Sequence, residues 1–595
     1  MTVTPTPDHL MWEFQEQFRL SLDRATDRAT DQIGAIVSAD ALLVGFLADG
    51  VSAPGAPDVC LAPADRGFSL QDLEGIRADA LRRFEAHPAH DEAYESAEVE
   101  QARLEHYEDV TRCDAIAAAL DSARAGRGRT FFIGAGARVG DYVVHPCLSV
   151  DTSAYAELNA LPYDEIDGVP LTTSLAHGIV VELLRIATHA LLAARPPRSI
   201  SPIDDDVPND AIRRSANHLV YSAGLIAGER LGQGLFDAFE GLSSTPYEGR
   251  VGAGTVVMAR EGHPRISVAV QLRSAVSVRE RRQFRKLLEM TRPGLHLLID
   301  GQRIYGLGSV EPLAHDEPDD SDNDIFRFTL LEQGSWQMSC NRNPLLRVSS
   351  GHPQLPRPRM STSLFIDAMR RVFDDVSDHD IRGIWMLAQS AAQQARGALL
   401  VVTTAAAEEA RRLAPQALAI RPQSLSPEVL DAVTRIDGAV LLTPDGVCHA
   451  VGVILDGVAT GAGDPSRGSR YNSAVRYTEA STAPCLTVIV SEDGMIDVYP
   501  ELAPRVRPED VEQALADLEA AGSLDVDEAR DVDFEAFYAL HKRLRRFAFY
   551  LSESQCERAN AICLTVEDLR WERSRTRVRT VPFRTDPRMN ASFFA

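Results

Sequence analysis

The sequence has few of the features that mark membrane proteins, secreted proteins and zinc-cluster proteins. Its eight cysteines are scattered over 595 residues without a C-x-x-C pair, so nothing signals a zinc cluster or a disulfide framework. The N-terminal segment lacks the basic region of a signal peptide. The most apolar stretch, residues 177–194, contains charged side chains that a spanning helix avoids. We therefore expect a cytoplasmic protein with no membrane segment.

The sequence also contains fewer basic than acidic residues. The chain has 61 Lys and Arg against 86 Asp and Glu, which gives a net charge of −25. This balance argues against nucleic acid and anionic membranes as partners, because both carry negative charge. The strongly basic stretch at residues 570–588 is expected to lie against the protein's own acidic surface or to form an edge strand, in preference to binding nucleic acid.

The length predicts two to four domains, since a single hydrophobic core stops growing at about 250–300 residues. Residues 1–125 look largely helical. Strands and helices alternate after a proline-rich stretch near residue 355, which is typical of an α/β domain. The predicted divisions are residues 1–240 (mixed α/β), 241–350 (α+β), 351–360 (proline-rich linker), 361–504 (α/β) and 505–595 (helical extension with the basic tail).

A glycine-rich run, GAGARVG at residues 134–140, raises the question of a dinucleotide site. That fingerprint must open a helix after a strand, whereas residues 141–150 read as a further strand. We therefore predict a β-hairpin. His145 and Cys147 lie two residues apart on this strand, and no third ligand lies nearby in the sequence, so we interpret them as a buried pair and not as a metal site.

The chemically richest stretch is residues 435–493, where three short motifs follow one another. An Asp-Gly-Ala corner leads into a strand, a Gly-Ser-Arg loop leads into a helix, and a second strand ends on two carboxylates. The residues are Asp437, Gly438 and Ala439, then Gly468, Ser469 and Arg470, and finally Glu492 and Asp493. This combination suggests phosphoryl-transfer chemistry on a nucleotide.

Each motif supplies a group that such chemistry needs. The Asp437 carboxylate can hold a divalent metal beside an attacking hydroxyl, and the small residues after it leave room for a ligand. Backbone N–H groups, a hydroxyl and a guanidinium at a helix start bind phosphates. Glu492 and Asp493 could complete a metal site, and the alternative is a solvated strand end. A second Asp-Gly pair, Asp445 with Gly446, is interpreted as a plain hairpin turn.

With these motifs, residues 361–500 resemble the diadenylate cyclase domain, the nucleotide-binding module of the DNA-integrity-scanning protein and its relatives. The family carries Asp-Gly-Ala, Gly-Thr-Arg-His-Arg and Val-Ser-Glu-Glu in this order. This chain departs from the second motif, because it has Arg470-Tyr471-Asn472 where the family has Arg-His-Arg. Arg467 and Arg476 lie close enough in the sequence to replace the missing charges.

A second resemblance covers the preceding region. Four segments between residues 285 and 359 are similar to the sensor-like module found ahead of diadenylate cyclase domains in some bacterial proteins. They are RKLLEM, IDGQRIYGLG, GSWQMS and PLLRVSSGHPQLPRPR. The expected fold class is therefore an α/β catalytic domain, with a mixed sheet flanked by helices, preceded by a large α+β sensor-like region.

The resemblance implies an enzyme that condenses two ATP molecules to cyclic di-AMP and pyrophosphate under the control of the sensor region. It implies Mg²⁺ or Mn²⁺ as cofactor, catalytic roles for Asp437 and Arg470, and metal ligation by Asp437, Glu492 and Asp493. One protomer holds one ATP, so two catalytic domains must face each other in a homo-oligomer. The expected nucleotide contacts are Gly438, Ala439, Ile454, Leu455, Arg467, Gly468, Ser469, Arg470, Asn472 and Ser473.

Two other functions stay open at this point. The altered Arg-Tyr-Asn motif is compatible with a catalytically weak or inactive nucleotide-binding signalling protein, and the α/β domain is compatible with a scaffold module. For Ile454 and Leu455, plain core packing is as good an interpretation as contact with adenine. The enzyme is favoured because a domain that only binds a partner has no need for a carboxylate and a phosphate loop together.

Overall fold

The computed structural model divides into two compact units, Met1–Arg357 and Pro358–Ala595, each with its own hydrophobic cores. It describes residues 10–594 except for a set of short segments. Those segments are residues 35–38, 49, 52–56, 64–67, 69–72, 74, 92–95, 124–127, 157, 167, 202–205, 228–233, 246–253, 293, 312–323, 341–342, 357–359, 361, 374–375, 393–396, 458–467, 492–494, 501, 504, 523–533, 575–579 and 587.

The first unit combines eight helices with fifteen strands in its described part. The helices are α1 (Gln15–Ile33), α2 (Ile76–Glu85), α3 (Ala97–Ser122), α4 (Thr152–Ala156), α5 (Leu175–Leu191), α6 (Val207–Ile226), α7 (Leu235–Ser244) and α8 (Arg281–Leu288). The strands are β1 (Ala39–Leu47), β2 (Val59–Ala62), β3 (Arg129–Ile133), β4 (Ala137–Val139), β5 (Tyr142–Asp151), β6 (Glu165–Ile166), β7 (Val169–Pro170), β8 (Gly254–Met258), β9 (Ile266–Ser277), β10 (His296–Ile299), β11 (Arg303–Val310), β12 (Phe326–Glu332), β13 (Ser335–Cys340), β14 (Asn343–Ser349) and β15 (His352–Gln354).

The first sheet of this unit has the order β2-β1-β5-β3, with β4 also paired to β5. The hairpin predicted around residues 134–150 is confirmed, since β3 and β4 both run antiparallel to β5. The largely helical interpretation of residues 1–125 is wrong at β1 and β2. Alternate residues of β1 pack into two different cores, Leu43 into one and Leu42 into the other. A strand buried on both faces reads as a continuous apolar run without alternation, so its period gives no signal.

The second sheet has the order β15-β14-β13-β12-β8-β10-β11-β9. The α+β character predicted for residues 241–350 is therefore found. An aromatic group lies between this sheet and α7, where the Phe239 ring stacks on Phe328 with centroids 4.2 Å apart. The fully buried Trp336 indole lies 5.5 Å from the ring of Phe236 and 5.6 Å from that of Phe239. Rings at these separations add to the burial of apolar area.

Two predicted boundaries lie differently in the structure. The division after residue 240 falls inside α7, whose apolar residues join the same core as β13. The predicted linker at residues 351–360 contains β15, which pairs with β14 and belongs to the first unit. The backbone N–H of Leu355 also donates to the Ile33 carbonyl. Pro353 occupies a sheet edge, where the missing N–H costs no ladder bond.

The second unit begins with an α/β domain. Its helices are α9 (Thr362–Val372), α10 (Asp378–Ala392), α11 (Ala406–Arg412), α12 (Pro427–Val433) and α13 (Ser469–Ala480). Its strands are β16 (Ala398–Thr403), β17 (Leu418–Ser424), β18 (Ala439–Leu442), β19 (Val447–Val453), β20 (Cys485–Val490) and β21 (Ile496–Tyr499). The sheet order is β17-β19-β18-β16-β20-β21. Buried residues of α9, α10 and α12 join a core on one face, and those of α11 and α13 join a core on the other.

The predicted helical extension after residue 505 is present as α14 (Pro508–Gly522), α15 (Phe534–Arg545) and α16 (Glu553–Ser574), which share a third core. The basic stretch begins as the last turns of α16, where the Arg570 guanidinium lies 5.0 Å from the centre of the Tyr538 ring. In the described part of residues 570–588 there is no strand, so the edge-strand alternative is wrong there. Among the described residues, no helix combines the length and the apolar character that a membrane crossing requires.

We expect His541 on α15 to make the stability of the second unit depend on pH. Burial and the nearby Arg545 lower the pKa of His541 to about 4, although Glu567 acts in the opposite direction. Below about pH 6.5 the unfolded state therefore binds more protons at this histidine than the folded state does. Stability from this group is present above that pH and is lost as pH falls toward 4. Between pH 7 and pH 5 we expect the second unit to lose about 2 kcal/mol through His541.

This expectation is measured as the difference in unfolding free energy between pH 7 and pH 5. The variant His541→Gln should show a smaller pH-dependent loss than the wild type, whatever its stability at pH 7. The matched control is His379→Gln, because His379 is exposed on α10 and should leave the pH dependence unchanged. An identical pH dependence in His541→Gln and wild type would contradict the argument.

Candidate functional site

The candidate site lies where the inner strands of the α/β sheet begin or end, at the edge that runs across the strand ends and not along an outer strand. Strands β16 and β18 run parallel, so both begin at this edge. Strand β19 runs antiparallel to β18 and pairs Val453 with Ala439. Strand β20 runs antiparallel to β16 and pairs Val490 with Ala398. The sheet therefore brings together the starts of two strands and the ends of two others, and the Asp-Gly-Ala corner leads into one of these starts.

The Asp-Gly-Ala corner forms the start of β18. The Asp437 side chain is exposed, whereas Ala439 and the strand after it are buried. Gly438 has a φ of 117°, and a Cβ there would lie 2.4 Å from the carbonyl carbon of Gly452. Only glycine allows two backbones to approach so closely at this φ. The close approach sets where the chain turns, and it leaves the Asp437 carboxylate at the sheet edge.

Arg470 reaches the same edge from the first turn of α13. A Cβ added to Gly397, the residue before β16, would lie 2.6 Å from Arg470 Nη1 and 2.6 Å from the Val490 carbonyl oxygen. The half-buried guanidinium therefore lies between the start of β16 and the end of β20. Leu400 of β16 pairs with Val440 of β18, and Gly397 and Asp437 each precede this pair by three residues on neighbouring strands. Neighbouring strands lie about 4.8 Å apart, so the structure brings Asp437 and Arg470 to adjacent strand starts.

The N-terminus of α13 carries most of the predicted phosphate residues. Gly468 is the N-cap, and Ser469 is the first helical residue. Asn472 donates to the Gly468 carbonyl through both its backbone N–H and its side-chain amide, at 3.3 Å each. Ser473 is half-buried one position further on. The positive end of the helix dipole favours an anion at this position.

The segment after β19 is positioned by residues that the sequence reasoning missed. Arg412 on α11 makes a bidentate ion pair with Asp456, at 2.5 and 2.8 Å, and also pairs with Glu409 at 2.7 Å. The Arg412 guanidinium lowers the pKa of the Glu409 carboxyl. Glu409 in turn accepts a hydrogen bond from the Tyr477 hydroxyl at 2.7 Å. The network joins α11, the post-β19 segment and α13. The pairing of Glu409 with Arg412, three residues apart on one helix, can be expected from the sequence. The contacts with Asp456 and Tyr477 cannot, because these residues are distant in the chain.

The two predicted adenine contacts differ in environment. Ile454 is 52% exposed, and its backbone N–H donates to the Gln416 carbonyl at 3.1 Å. Leu455 is half-buried and packs into the same core cluster as Tyr471 and Tyr499. The exposed Ile454 side chain has room for a ligand ring, whereas Leu455 is already engaged in core packing. Contact of either side chain with adenine stays a prediction.

Three predicted site residues, Arg467, Glu492 and Asp493, lie outside the described residues. The flanking Ser491 and Met495 are described, and the backbone N–H of Ser491 donates to the Met495 carbonyl at 2.9 Å. This bond continues the pairing of β20 with β21 at the same sheet edge as Asp437. Among the predicted metal ligands, the one that the structure describes at this edge is the Asp437 carboxylate, which suits Mg²⁺ or Mn²⁺ as one ligand of a site completed by phosphates and water.

Replacing Gly438 tests how far this corner depends on the close backbone approach. In Gly438→Ala the new Cβ meets backbone atoms of Gly452 at 2.4 and 2.8 Å, and those atoms cannot rotate away. We expect a loss of about 3 kcal/mol or more in the unfolding free energy of the second unit, from backbone strain and overpacking together. Chemical denaturation followed by circular dichroism measures the loss.

Gly446→Ala is the matched control for this substitution. Gly446 also follows an aspartate and has a φ of 80°, but its nearest neighbour would be the flexible Ile384 side chain at 3.9 Å. Its cost should be the strain alone, about 1–2 kcal/mol. Equal losses in the two variants would show that the contact with Gly452 contributes nothing.

Three family models match the chain. Residues 11–220 match the probable sensor domain DACNG, and residues 233–342 match the probable sensor domain DACNH. Residues 387–502 match the nucleotide-binding domain of the DisA bacterial checkpoint controller. The chain carries a DisA-type nucleotide-binding domain behind two sensor-type domains. The resemblance and the fold class predicted from the sequence are both confirmed.

The DisA-type domain spans the sheet edge described above, from α10 to the segment after β21. Among solved structures, the chain is similar to DacA from Staphylococcus aureus, with 25% identity over 22% of this chain and 83% of that chain and a TM-score of 0.17. It is also similar to a hypothetical membrane spanning protein from Bacillus cereus, with 23% identity over 23% of this chain and 65% of that one and a TM-score of 0.19. No curated protein matches the chain.

Proposed function

We propose that this protein is a diadenylate cyclase that condenses two ATP molecules to cyclic di-AMP and two pyrophosphates. The observation that carries the proposal is the meeting of Asp437 and Arg470 at adjacent strand starts of one sheet edge. They are 33 positions apart in the sequence, and the domain that brings them together matches the DisA nucleotide-binding family. A carboxylate and a guanidinium beside a helix N-terminus are the groups that a triphosphate site requires.

Each ATP would bind with its phosphates at the start of α13. The backbone N–H groups after Gly468 and the Ser469 hydroxyl would donate to phosphate oxygens, and the Arg470 guanidinium would offset the charge that develops on the leaving pyrophosphate. The exposed Asp437 carboxylate would orient the 3′-hydroxyl of the opposing nucleotide and accept its proton. In this arrangement, positioning and charge stabilisation supply most of the rate enhancement.

The bond changes are the same at both ends of the product. The 3′-oxygen of each ATP forms a bond to the α-phosphorus of the other ATP, and the bond from that phosphorus to the bridging oxygen of pyrophosphate breaks. Asp437 would hold Mg²⁺ or Mn²⁺, together with Glu492 and Asp493. When bound, the metal supplies neutralisation of phosphate charge.

The reaction requires two nucleotide sites face to face. One DisA-type domain offers one phosphate-binding helix start, so two chains must meet with their site edges opposed, by a two-fold axis in the simplest case. We propose that the sensor-type domains regulate this meeting.

A weaker activity is the second candidate, and one observation favours it. Tyr471 stands where the family carries His, and its ring packs in the core cluster with its centroid 6.4 Å from that of Tyr499. A side chain held in this way offers less positive charge to the phosphates than the family motif does. The rate would then fall while ATP binding by α13 persists.

Incubation of the full-length protein with ATP and Mn²⁺, followed by chromatography, tests the proposal. The expected result is formation of cyclic di-AMP with two pyrophosphates released for each product molecule. Binding of ATP without product would select the nucleotide-binding signalling protein instead. No binding of ATP would overturn both and leave a scaffold role for the domain.

A further inference from the structure

Three side chains of different donor chemistry converge in the first unit, far in sequence from the nucleotide site. Asp109 and Cys113 lie four residues apart on α3, so they share one face of the helix. His145 comes from the middle of β5. One ligand atom from each of the three residues lies within 4.8 Å of the others. No third ligand for His145 could be found from its sequence neighbours, because Asp109 and Cys113 lie more than 30 positions upstream.

The register of β5 explains why His145 faces this helix. Alternate residues of a strand point to opposite faces. Cys147, two residues on, packs into the core formed with α2 and α3, whereas Val144 and Leu148 pack into the core on the other face. His145 and Cys147 are both buried, as the sequence predicted. His145 also lies close to the polar side chains of Asp109 and Cys113 on α3.

The hydrogen bonds around His145 leave one ring nitrogen available. Nδ1 lies 3.1 Å from the Gly134 carbonyl oxygen and 3.7 Å from Cys113 Sγ. Nε2 is buried and has no hydrogen-bond partner in the described part of the chain. A neutral imidazole that donates from Nδ1 to a backbone carbonyl presents a lone pair at Nε2. This is the usual arrangement of a metal-binding histidine, whose other nitrogen is fixed by a carbonyl or carboxylate.

Asp109 is held beside the same ring. Its Oδ1 accepts a hydrogen bond from the Gly136 N–H at 2.9 Å. A Cβ added to Gly136 would lie 2.6 Å from His145 Nε2, so the absence of a side chain there keeps the approach to this nitrogen open. Both Asp109 and Cys113 are half-buried. The three donor atoms lie within 4.8 Å of one another, so metal binding would require the Asp109 and Cys113 side chains to close to the spacing of about 3.3–3.8 Å that bonds of about 2.0–2.3 Å set at a tetrahedral ion.

We propose that Asp109, Cys113 and His145 form a binding site for a divalent transition metal of the zinc type. One sulfur, one nitrogen and one oxygen donor suit such an ion, whereas Mg²⁺ and Ca²⁺ prefer oxygen donors alone. Three protein ligands leave a fourth position for water or a small ligand. The ion would join α3 to β5 within the DACNG-type domain, so its binding is a candidate signal for that domain. The inference rests on the first unit and is independent of the proposed cyclase activity.

The first experiment titrates the metal-free full-length protein with Co²⁺ as a spectroscopic probe. We expect one Co²⁺ per chain with a thiolate-to-cobalt charge-transfer band. The band should disappear in Cys113→Ser, and Zn²⁺ should displace the Co²⁺ whereas Mg²⁺ should not. In Asp109→Asn and His145→Gln the affinity should fall by at least about 100-fold. Ions held by oxygen donors near Asp437 give no thiolate band, so they do not mimic the result.

Two substitutions serve as matched controls for the titration. Cys60→Ala removes a buried thiol elsewhere in the same unit, and Asp121→Asn removes an exposed carboxylate from the same helix. Both should bind Co²⁺ as the wild type does. Absence of stoichiometric binding by the wild type, or a thiolate band that persists in Cys113→Ser, would overturn the proposal.

A second measurement avoids variants that fold poorly. Seven of the eight cysteines are buried, and Cys113 is half-buried. In the native wild-type protein the Cys113 thiol should therefore react with a disulfide reagent such as DTNB before the other seven, although slowly, because burial raises the pKa of this thiol. Saturating Zn²⁺ should slow that reaction at least about 10-fold, because the metal-bound sulfur is no longer a free nucleophile. An unchanged rate in the presence of Zn²⁺ would show that Cys113 is not a ligand.

Discussion

Replacing Asp437 by asparagine should lower the rate of cyclic di-AMP formation by about 10²–10⁴-fold. The side chain is exposed at the start of β18 and opposite the strand start that Arg470 covers. Asparagine keeps the shape of the group and removes the charge, so the variant loses both the proton acceptor and the metal ligand. Product formation from ATP and Mn²⁺, followed by chromatography, measures the change. Thermal unfolding should be nearly unchanged, since the carboxylate is exposed.

The matched control is Asp445→Asn. Asp445 also precedes a glycine and is also exposed, but it occupies the turn between β18 and β19, at the opposite edge of the sheet. Its activity should stay within a few-fold of the wild type. A fully active Asp437→Asn variant would remove Asp437 from the mechanism. Equal losses in the two variants would point to a general effect of charge at the surface.

Replacing Trp336 by alanine should destabilise the first unit by about 3–5 kcal/mol. Trp336 is fully buried against Phe236, Phe239 and Phe328, with ring centroids 5.5–6.1 Å away. Its removal opens a large cavity beside the rigid rings on β12 and α7, and such rings cannot collapse to fill the space. The midpoint of chemical denaturation, followed by circular dichroism, should shift for the transition of this unit.

Two further variants define the origin of that loss. The indole Nε1 of Trp336 is buried and makes no hydrogen bond in the described part of the chain. Trp336→Phe removes this unsatisfied donor together with some volume, so its cost should be well below that of alanine. Tyr163→Ala, at a 45% exposed aromatic residue of the same unit, should change stability by less than about 1 kcal/mol. A small loss in Trp336→Ala would mean that the core repacks.

Much of the α/β domain could be predicted from the sequence because its signals are local. The Ser426 hydroxyl accepts the Val429 N–H at the start of α12, and the Ser377 hydroxyl accepts the Asp380 N–H at the start of α10, as their sequence positions indicate. Such caps depend on residues within one helical turn. The strands β18 and β20 are short apolar runs, and they lie where the motifs around them predicted strands.

Other features could not be predicted because they depend on partners distant in the chain. Gly397 precedes β16 and, having no side chain, makes room for Arg470, which no local pattern indicates. β17 was not predicted. β17 is an exposed edge strand that pairs with β19. Its apolar and polar residues alternate too little to indicate a strand. The ion pairs of Arg412 with Asp456 and the convergence of Asp109 with His145 likewise join elements that no local pattern connects.

The sequence by itself determined the resemblance to the DisA-type domain and its place behind sensor-type domains, because these follow from short stretches whose chemistry is local. Only the tertiary structure decided that Asp437 and Arg470 share a sheet edge, that β15 closes the first unit where a linker was expected, and that α3 brings a thiol and a carboxylate to His145. The physical reason is that strand pairing and helix packing are long-range interactions. They bring together residues that the sequence leaves tens of positions apart.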